Sequence, residues 1–297
     1  MEVVKITPRG YCHGVVKAIN IARDSGRSIE GPIFALGQLV HNRHVLEDLA
    51  NHGVDLVDGV NRLDILEKIE TGTVIFSAHG VSPKVRERAT AKGLRWIDAT
   101  CPDVIRTHDL ARDKAAAGYF IIYIGKHGHP EPEGVVGEVP GQIVLVETAD
   151  EIDSLTIDAE KIAVLTQTTI SVWDTDVLVE RILAKYPHAE VHNEICRATQ
   201  DRQEAAVEAA MNCDAVIVVG DRRSSNSRRL VEVVKQRAGK PAYLVDNANE
   251  IDPTWLNGIQ RVGVTSGAST PSEVTRAVVR YLEAMPPRPA LPGSPAQ

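Results

Sequence analysis

Residues 94–104 read Leu94-Arg95-Trp96-Ile97-Asp98-Ala99-Thr100-Cys101-Pro102-Asp103-Val104, an extended segment that leads through a cysteine into a helix. Pro102 directly follows the cysteine, and proline is favoured at the first position of a helix because it has no amide proton to leave unpaired there. The same junction occurs at Cys12 and Cys196, each of which follows an extended segment and precedes a predicted helix. The stretch therefore predicts a strand–cysteine–helix unit that occurs three times.

The spacing of these junctions predicts the domain organisation. Subtracting residue numbers gives 89 residues from Cys12 to Cys101 and 95 residues from Cys101 to Cys196. The chain of 297 residues therefore divides into three α/β units of similar length, which share an architecture but no detectable sequence identity. We expect the three units at residues 1–98, 99–194 and 195–284, followed by a proline-rich disordered tail at residues 285–297.

The rest of the chain indicates an α/β fold with mostly parallel sheets. Short β-branched runs such as Tyr119 to Ile124 and Ala215 to Val219 alternate with amphipathic segments of helical length, such as Val85 to Lys92, Val177 to Lys185 and Arg202 to Met211. This alternation is typical of strands joined by crossover helices. The aromatic content of 4% fits sheets that are filled by valine, isoleucine and leucine.

Composition and charge exclude several classes of partner. The 33 Lys and Arg residues against 40 Asp and Glu residues give a net charge of −7, and no dense basic run is present, so we expect binding to neither nucleic acid nor anionic membranes. No apolar run approaches the roughly 20 residues of a membrane helix. Residues 1–6 read as a strand rather than a secretory signal, which predicts a cytoplasmic protein whose four cysteines are reduced.

The three cysteines at the junctions are candidate metal ligands. Ligands of open α/β sheets bind at the carboxyl ends of strands, and a helix N-terminus lowers a thiol pKa, so the thiolates of Cys12, Cys101 and Cys196 could converge on one centre. Thiolates bind iron–sulfur clusters as well as zinc, and three of them would leave one iron of a cubane cluster open to react. The alternative is that each cysteine is a small buried apolar residue. Cys213 lies off the pattern and is interpreted as structural.

Polar residues collect in the loops that follow the strands. Hydroxyls, imidazoles and helix N-terminal amides without a Walker-type or dinucleotide-binding glycine motif suit an anion such as a diphosphate. Glu131, beside His129 at a predicted helix start, is the best-placed carboxylate for proton delivery, although it could also simply complement the helix dipole. Each loop taken alone could be a helix cap. The loops occupy residues 38–42, 77–83, 125–131, 166–169, 223–227 and 266–271.

Nine motifs, in order from about residue 3 to residue 284, resemble the 4-hydroxy-3-methylbut-2-enyl diphosphate reductase family, which completes the methylerythritol phosphate pathway to isoprenoids. The motifs are Arg9-Gly10-Tyr11-Cys12-His13-Gly14-Val15, Val40-His41-Asn42, Ser77-Ala78-His79-Gly80-Val81, Asp98-Ala99-Thr100-Cys101-Pro102, Gly128-His129-Pro130-Glu131, Thr166-Gln167-Thr168-Thr169, Ile195-Cys196, Ser224-Ser225-Asn226-Ser227 and Gly267-Ala268-Ser269.

The resemblance implies three α/β units in a pseudo-threefold arrangement around a 4Fe-4S cluster that Cys12, Cys101 and Cys196 hold. It implies that the substrate hydroxyl binds the open iron and that two electrons and two protons remove it as water, giving isopentenyl or dimethylallyl diphosphate. Ferredoxin- or flavodoxin-type proteins are the implied electron donors. The residues that match the family's diphosphate-binding positions are His41, His79, His129, Ser224, Ser225, Asn226 and Ser269.

The resemblance also implies the proton pathway. Glu131 matches the proton donor, Thr168 matches the threonine that contacts the substrate hydroxyl and relays the proton, and His129 is assigned to the same catalytic group. The sequence departs from the family pattern at Tyr11, where phenylalanine is common, and at the pair 126–127, whose effect on charge near the entrance is left open. Two other readings remain: a zinc-dependent phosphohydrolase with a mixed cysteine and histidine site, and a non-enzymatic iron–sulfur sensor.

Overall fold

The computed structural model describes residues 1–285, which form two compact units. The first unit contains Met1–Cys12, His41–His44 and the described chain from Arg197 onward. The second unit contains His13–Val40 and Val45–Cys196.

Twelve strands and eleven α-helices are present in residues 1–285. The strands are β1 (Glu2–Lys5), β2 (Ile33–Leu36), β3 (Val54–Val57), β4 (Thr73–Phe76), β5 (Arg95–Asp98), β6 (Phe120–Ile124), β7 (Ile143–Val146), β8 (Ile162–Thr166), β9 (Glu190–His192), β10 (Ala215–Val219), β11 (Ala242–Val245) and β12 (Arg261–Ser266). The helices are α1 (His13–Ser28), α2 (Arg43–Ala50), α3 (Arg62–Glu67), α4 (Pro83–Ala91), α5 (Pro102–Ala116), α6 (Pro130–Val136), α7 (Ala149–Ser154), α8 (Val172–Lys185), α9 (Arg197–Ala210), α10 (Ser225–Ala238) and α11 (Ser272–Glu283).

The strands form three parallel sheets of four strands each, which confirms the predicted α/β class. Read from one edge, their orders are β3-β2-β4-β5 and β7-β6-β8-β9 in the second unit, and β11-β10-β12-β1 in the first. The three sheets therefore share one topology. Every residue of β4, β8 and β10 is buried, as expected of inner strands that helices cover on both faces.

The shared topology gives the three cysteines equivalent places. Cys101 follows β5, Cys196 follows β9 and Cys12 follows β1, and each of these strands is the fourth in the common order. The first strand of the chain thus completes the sheet of the last segment, pairing from Glu2 opposite Arg261 onward.

This pairing departs from the predicted first unit at residues 1–98, because β1 lies in the sheet of β10, β11 and β12. A strand sequence determines which faces are buried, but it does not determine which neighbour the strand joins. The boundaries near residues 98 and 194 stay predictions. Of the predicted tail at 285–297, Met285 packs against the core of the first unit, and the other residues lie outside the described part of the chain.

No helix within residues 1–285 combines the length and the apolar character needed to cross a membrane.

Candidate active site

Two of the three cysteines lie in the second unit, and the backbone fixes both. Cys101 is the N-cap residue of α5, with Pro102 at the first helical position, and its amide donates to the Ala78 carbonyl at 3.0 Å. The amide of Cys196 donates to the Thr168 carbonyl, also at 3.0 Å. Both cysteines are thiols rather than disulfides. The sequence interpretation of a cysteine between strand and helix therefore describes Cys101 correctly.

The start of α1 approaches the Cys101 thiol closely. A Cβ added at Gly14 would lie only 2.3 Å from the Sγ atom of Cys101, so the absence of a side chain at Gly14 is what lets the helix come so near. Lys17, one turn further along α1, donates from Nζ to the Thr100 carbonyl at 2.9 Å. Lys17 therefore ties α1 to the residue that directly precedes Cys101.

Cys12 lies in the first unit, in a loop tied to the carboxyl end of β12. Its amide donates to the Ala268 carbonyl at 3.1 Å, and the Gly10 amide donates to the Ser266 hydroxyl at 2.9 Å. The Gly10 carbonyl in turn accepts from Nη2 of the buried Arg202 at 2.8 Å. Gly10 has a φ of 78°, a conformation that side chains disfavour, so the turn before Cys12 depends on glycine.

Glu131 is buried at the start of α6, with 1% of its surface exposed. Its Oε1 atom accepts the Thr168 amide at 2.7 Å, and its Oε2 atom accepts the Thr168 hydroxyl at 3.0 Å. His129 caps the same helix, because its Nδ1 atom accepts the Glu131 amide at 3.2 Å. The structure thus brings together the three residues of the predicted proton pathway.

Burial raises the pKa of Glu131 to about 7, and the two hydrogen bonds from Thr168 oppose this rise. A carboxyl group with a pKa near neutrality is protonated in a large fraction of molecules at pH 7. It can also give up that proton without a large energetic cost, which is the property required of a general acid.

The imidazoles of His79 and His129 meet edge to face in the second unit, with ring centroids 5.3 Å apart. Nδ1 of His79 lies 3.2 Å from the Ser77 hydroxyl, and Nδ1 of His129 lies 3.2 Å from Nε2 of Gln167. Since Nδ1 of His129 accepts a backbone amide, the proton of the neutral ring is on Nε2. Both predicted histidines are therefore held in defined orientations.

Gln167 is a site residue that the sequence prediction missed. It is fully buried, and its Oε1 atom accepts the Lys126 amide at 2.9 Å while its Nε2 atom contacts His129. Its position directly before Thr168 is the only feature of the sequence that points to it.

The side chain of His127, whose role the sequence leaves open, lies beside acidic residues. His127 donates its amide to Glu147 at 2.8 Å, and its ring lies 3.2 Å from the Glu151 carboxylate.

The first unit gathers the remaining predicted residues at the carboxyl ends of β10 and β12. The Ser269 hydroxyl donates to the His41 carbonyl at 3.0 Å, and Oδ1 of Asn226 accepts the Ala268 amide at 3.0 Å. Ser224 caps α10 by accepting the Ser227 amide at 3.2 Å. Ser225, the first residue of α10, is also buried. These residues of the first unit therefore surround the N-terminus of α10, a helix of 14 residues.

The short segment that carries His41 is fastened to the first unit by acidic residues. The Arg43 amide donates to the Asp221 carboxylate at 3.2 Å, and the Arg43 guanidinium pairs with Asp246 at 2.5 Å. Hydrogen bonds and charge from Arg223 hold the pKa of Asp221 below its usual range against the opposing effect of burial, so Asp221 stays ionised.

Cys213 lies apart from both groups of residues. It is buried in the turn between α9 and β10, and burial raises the pKa of its thiol. A raised thiol pKa opposes the thiolate form that metal ligation needs. This placement agrees with the structural role that the sequence predicts.

Comparison with known proteins identifies the family. Residues 3–283 match the protein family described as LytB protein. The chain belongs to the LytB family. This membership confirms the resemblance that the nine motifs carry.

Named relatives of the LytB chain cover almost its whole length. The 4-hydroxy-3-methylbut-2-enyl diphosphate reductase of Symbiobacterium thermophilum is 57% identical over 286 residues, which is 95% of this chain and 97% of the relative. The enzyme of the same name from Halalkalibacterium halodurans is 52% identical over 289 residues, covering 97% and 92%.

Solved structures show the same fold. The E-1-hydroxy-2-methyl-but-2-enyl-4-diphosphate reductase from Plasmodium falciparum is 35% identical and matches with a TM-score of 0.91, over 96% of this chain and 89% of that one. A second structure, described as (E)-4-hydroxy-3-methyl-but-2-enyl diphosphate reductase, the terminal enzyme of the non-mevalonate pathway, is 31% identical with a TM-score of 0.68, over 96% and 100%.

Proposed function

We propose that this LytB protein is a reductase that removes the hydroxyl of 4-hydroxy-3-methylbut-2-enyl diphosphate as water and yields isopentenyl and dimethylallyl diphosphate. Relatives of that name at 57% and 52% identity support the substrate and the reaction. The observation that carries the proposal is the buried carboxyl of Glu131, which Thr168 binds through both its amide and its hydroxyl.

The proposed ligands of a 4Fe-4S cluster are Cys12, Cys101 and Cys196, and all three are free thiols, which is the donor chemistry that such a cluster needs. Each thiol follows the fourth strand of its sheet, and Gly14 leaves the space beside the Cys101 sulfur that a side chain would fill. Thiolates are the ligands that such clusters prefer. A bound cluster supplies low-potential electrons and a Lewis-acidic iron for the departing oxygen. The electrons are proposed to come from a ferredoxin- or flavodoxin-type protein.

Donors that suit a diphosphate occur in each of the two units. In the first unit, the N-terminus of α10 offers backbone amides and a positive dipole end. The second unit contributes imidazoles, which donate charge-assisted hydrogen bonds to phosphate oxygens. The proposed diphosphate ligands are His41, Ser224, Ser225, Asn226 and Ser269 of the first unit and His79 and His129 of the second.

Glu131 and Thr168 supply the proton that the departing hydroxyl needs. Hydroxide is a poor leaving group, and protonation converts it to water. The Thr168 hydroxyl is 3.0 Å from Oε2 of Glu131, so it can accept a proton from the carboxyl group while it passes its own proton to the substrate. The raised pKa of Glu131, about 7, makes that proton available at neutral pH.

Anaerobic turnover of the hydroxylated diphosphate, with dithionite and a viologen mediator, tests the proposal. Mass spectrometry is expected to detect both isopentenyl and dimethylallyl diphosphate. Release of inorganic phosphate by a zinc-containing protein would instead identify the phosphohydrolase. A cluster-containing protein that binds the substrate without consuming it would identify the sensor. The cytoplasmic location stays a prediction.

A further inference from the structure

Tyr123 is the largest side chain that is completely buried in the core around β6. Its hydroxyl is also buried and forms no hydrogen bond of normal geometry with the residues that the structure describes. A buried hydroxyl without a partner is costly, and such groups are rare in folded proteins. The ring itself packs among apolar residues, including Val135 of α6 and Leu165 of β8.

The Tyr123 ring lies against the start of α6. A Cβ added at Gly125 would meet Cε1 of Tyr123 at 3.0 Å, Cγ of Pro132 at 3.1 Å and Oε1 of Gln167 at 3.3 Å, so these three groups surround one point. Glu131 directly precedes Pro132, and its carboxylate is near enough to the Tyr123 phenol to affect the phenol pKa. Burial raises the pKa of Tyr123 well above its usual range, and the neighbouring Glu131 carboxylate raises it further. The phenol is therefore always a proton-bearing donor at neutral pH.

Thr168 supplies the well-aligned hydrogen bonds of Glu131 and is also proposed to contact the substrate. The Thr168 amide and hydroxyl donate to the two carboxylate oxygens, and the Tyr123 phenol, which is too poorly aligned for a normal hydrogen bond, adds a weaker interaction that lowers the pKa of Glu131. Under the function proposed above, the Thr168 hydroxyl also contacts the substrate. When that hydroxyl donates to the substrate while Glu131 is ionised, Oε2 of Glu131 loses its well-aligned donor. A buried carboxylate oxygen without a donor is strongly destabilised.

We infer that Tyr123 is a positioning residue whose hydroxyl donates to Oε2 of Glu131 when the Thr168 hydroxyl engages the substrate. The inference rests on the proposed function, since it needs a substrate that draws Thr168 away. It explains why a buried hydroxyl without a well-aligned partner is retained beside the proton donor. No bond is made or broken in this step, because only the acceptor of the phenolic proton changes.

Other charged groups in the second unit act on the same pair. Asp103 of α5 raises the pKa of Glu131 through its negative charge, and Glu194 after β9 raises the pKa of Tyr123 in the same way. The Nδ1 atom of His129 accepts the Glu131 amide. Neither acidic residue can donate to Oε2 as a carboxylate, whereas the Tyr123 phenol can.

The variant Tyr123→Phe tests the inference through the pH dependence of kcat in the holoenzyme. Loss of a donor destabilises the carboxylate and raises the pKa of Glu131 in the substrate complex. Glu131 must be protonated to act, so the alkaline limb of kcat is expected to move upward by about one pH unit, because a hydrogen bond to a charged group is worth roughly one unit or more. KM is expected to change less than about twofold, since no substrate contact is removed.

The matched control is Tyr186→Phe, in the same unit. The Tyr186 hydroxyl donates to the Leu155 carbonyl at 3.2 Å and accepts the Ile157 amide at 3.1 Å, so its loss lowers the melting temperature. It is expected to leave the pH profile unchanged. If Tyr123 were only a core residue, Tyr123→Phe would remove an unsatisfied group, raise the melting temperature and leave the profile where it was.

Infrared titration of the Glu131 carboxyl gives a readout that needs no turnover. The oxidised holoenzyme is titrated with and without substrate and without reductant, and Glu131→Gln identifies the band. With substrate bound, the Tyr123→Phe protein is expected to lose the Glu131 proton at a pH about one unit higher than the wild type. Without substrate the difference is expected to be smaller, because Thr168 then donates to both carboxylate oxygens. Identical titrations with substrate bound would overturn the inference, even if turnover established the function. A protein that binds substrate and shows the shift, but forms no product, would contradict the proposed function alone.

Discussion

Replacing Glu131 by glutamine removes the proposed proton donor while preserving the shape of its surroundings. The glutamine Oε1 atom can still accept the Thr168 amide, which donates to the wild-type carboxylate at 2.7 Å. Its Nε2 group faces the Thr168 hydroxyl, which can rotate to accept a hydrogen bond instead of donating one. We therefore expect Glu131→Gln to fold, to retain its iron and to bind the substrate with nearly normal affinity.

Turnover of Glu131→Gln is expected to fall at least a hundredfold. General acid catalysis contributes about 10² to 10⁴ in rate, and a factor of 100 corresponds to about 2.7 kcal/mol in the activation free energy. The anaerobic assay with dithionite and a viologen mediator measures this directly. The control is Glu133→Gln on the same helix, where an exposed carboxylate accepts the Arg62 amide at 2.9 Å. Wild-type turnover in Glu131→Gln would refute the assignment of the proton donor.

Glu131→Gln is expected to lower activity but to raise the stability of the folded protein relative to the wild type as the pH rises. The pKa of Glu131 is raised from 4.5 to about 7 in the folded protein, so its stability contribution is fully present below the unfolded pKa and is lost as the pH rises through 7. The difference corresponds to about 3 kcal/mol, since one pH unit is worth about 1.4 kcal/mol. Glutamine cannot ionise. Calorimetry is therefore expected to show Glu131→Gln gaining stability relative to the wild type between about pH 5 and pH 8, and a constant difference would contradict the raised pKa.

Three further predictions concern the cysteines, the anion site and Gly14. Replacing Cys12, Cys101 or Cys196 by serine is expected to remove most of the iron, as measured by anaerobic iron analysis, whereas Cys213→Ser retains it. Equal loss of iron in all four variants would contradict the ligand assignment. His41→Ala is expected to weaken substrate binding by about 1.5 to 3 kcal/mol in a calorimetric titration, because a charge-assisted hydrogen bond is lost. An unchanged affinity would remove His41 from the site. Gly14→Ala places a Cβ 2.3 Å from the Cys101 sulfur and is expected to lower iron content, whereas full iron loading would show that α1 can move aside.

The sequence predicts the helices and strands well where burial alone decides them. The helix predicted at 177–185 is the C-terminal part of α8, which begins at Val172 after the Ser171 cap. The extended segment predicted before Cys196 forms a strand only as far as His192, because Asn193 accepts the Ile195 amide and Thr166 accepts the Glu194 amide. Side chains that capture backbone amides in this way compete with the strand ladder, and periodicity does not reveal them.

Strand order is the feature of the fold that the sequence leaves open. The cysteine spacing predicts three similar units, and the three sheets do share one topology. The pairing of β1 with β12 joins residues about 260 apart in the chain, and nothing in either strand specifies that partner.

Tyr123, the residue inferred to position Glu131, has no signal of that role in the sequence. It occupies a strand whose other residues are apolar core residues, and its role depends on which residue its hydroxyl faces. Gln167 had a weak signal, its place beside Thr168. By contrast, Glu131 was identifiable because it stands at a helix start beside a histidine.

The most direct test of the reductase assignment is the electron stoichiometry of a single anaerobic reaction. The purified holoenzyme, a known amount of hydroxylated diphosphate and titrated dithionite are combined, and the electrons consumed are compared with the five-carbon diphosphates formed. We expect two electrons for each molecule of isopentenyl or dimethylallyl diphosphate, with no inorganic phosphate released. Consumption of the substrate without electron uptake, or with phosphate as the product, would contradict the assignment.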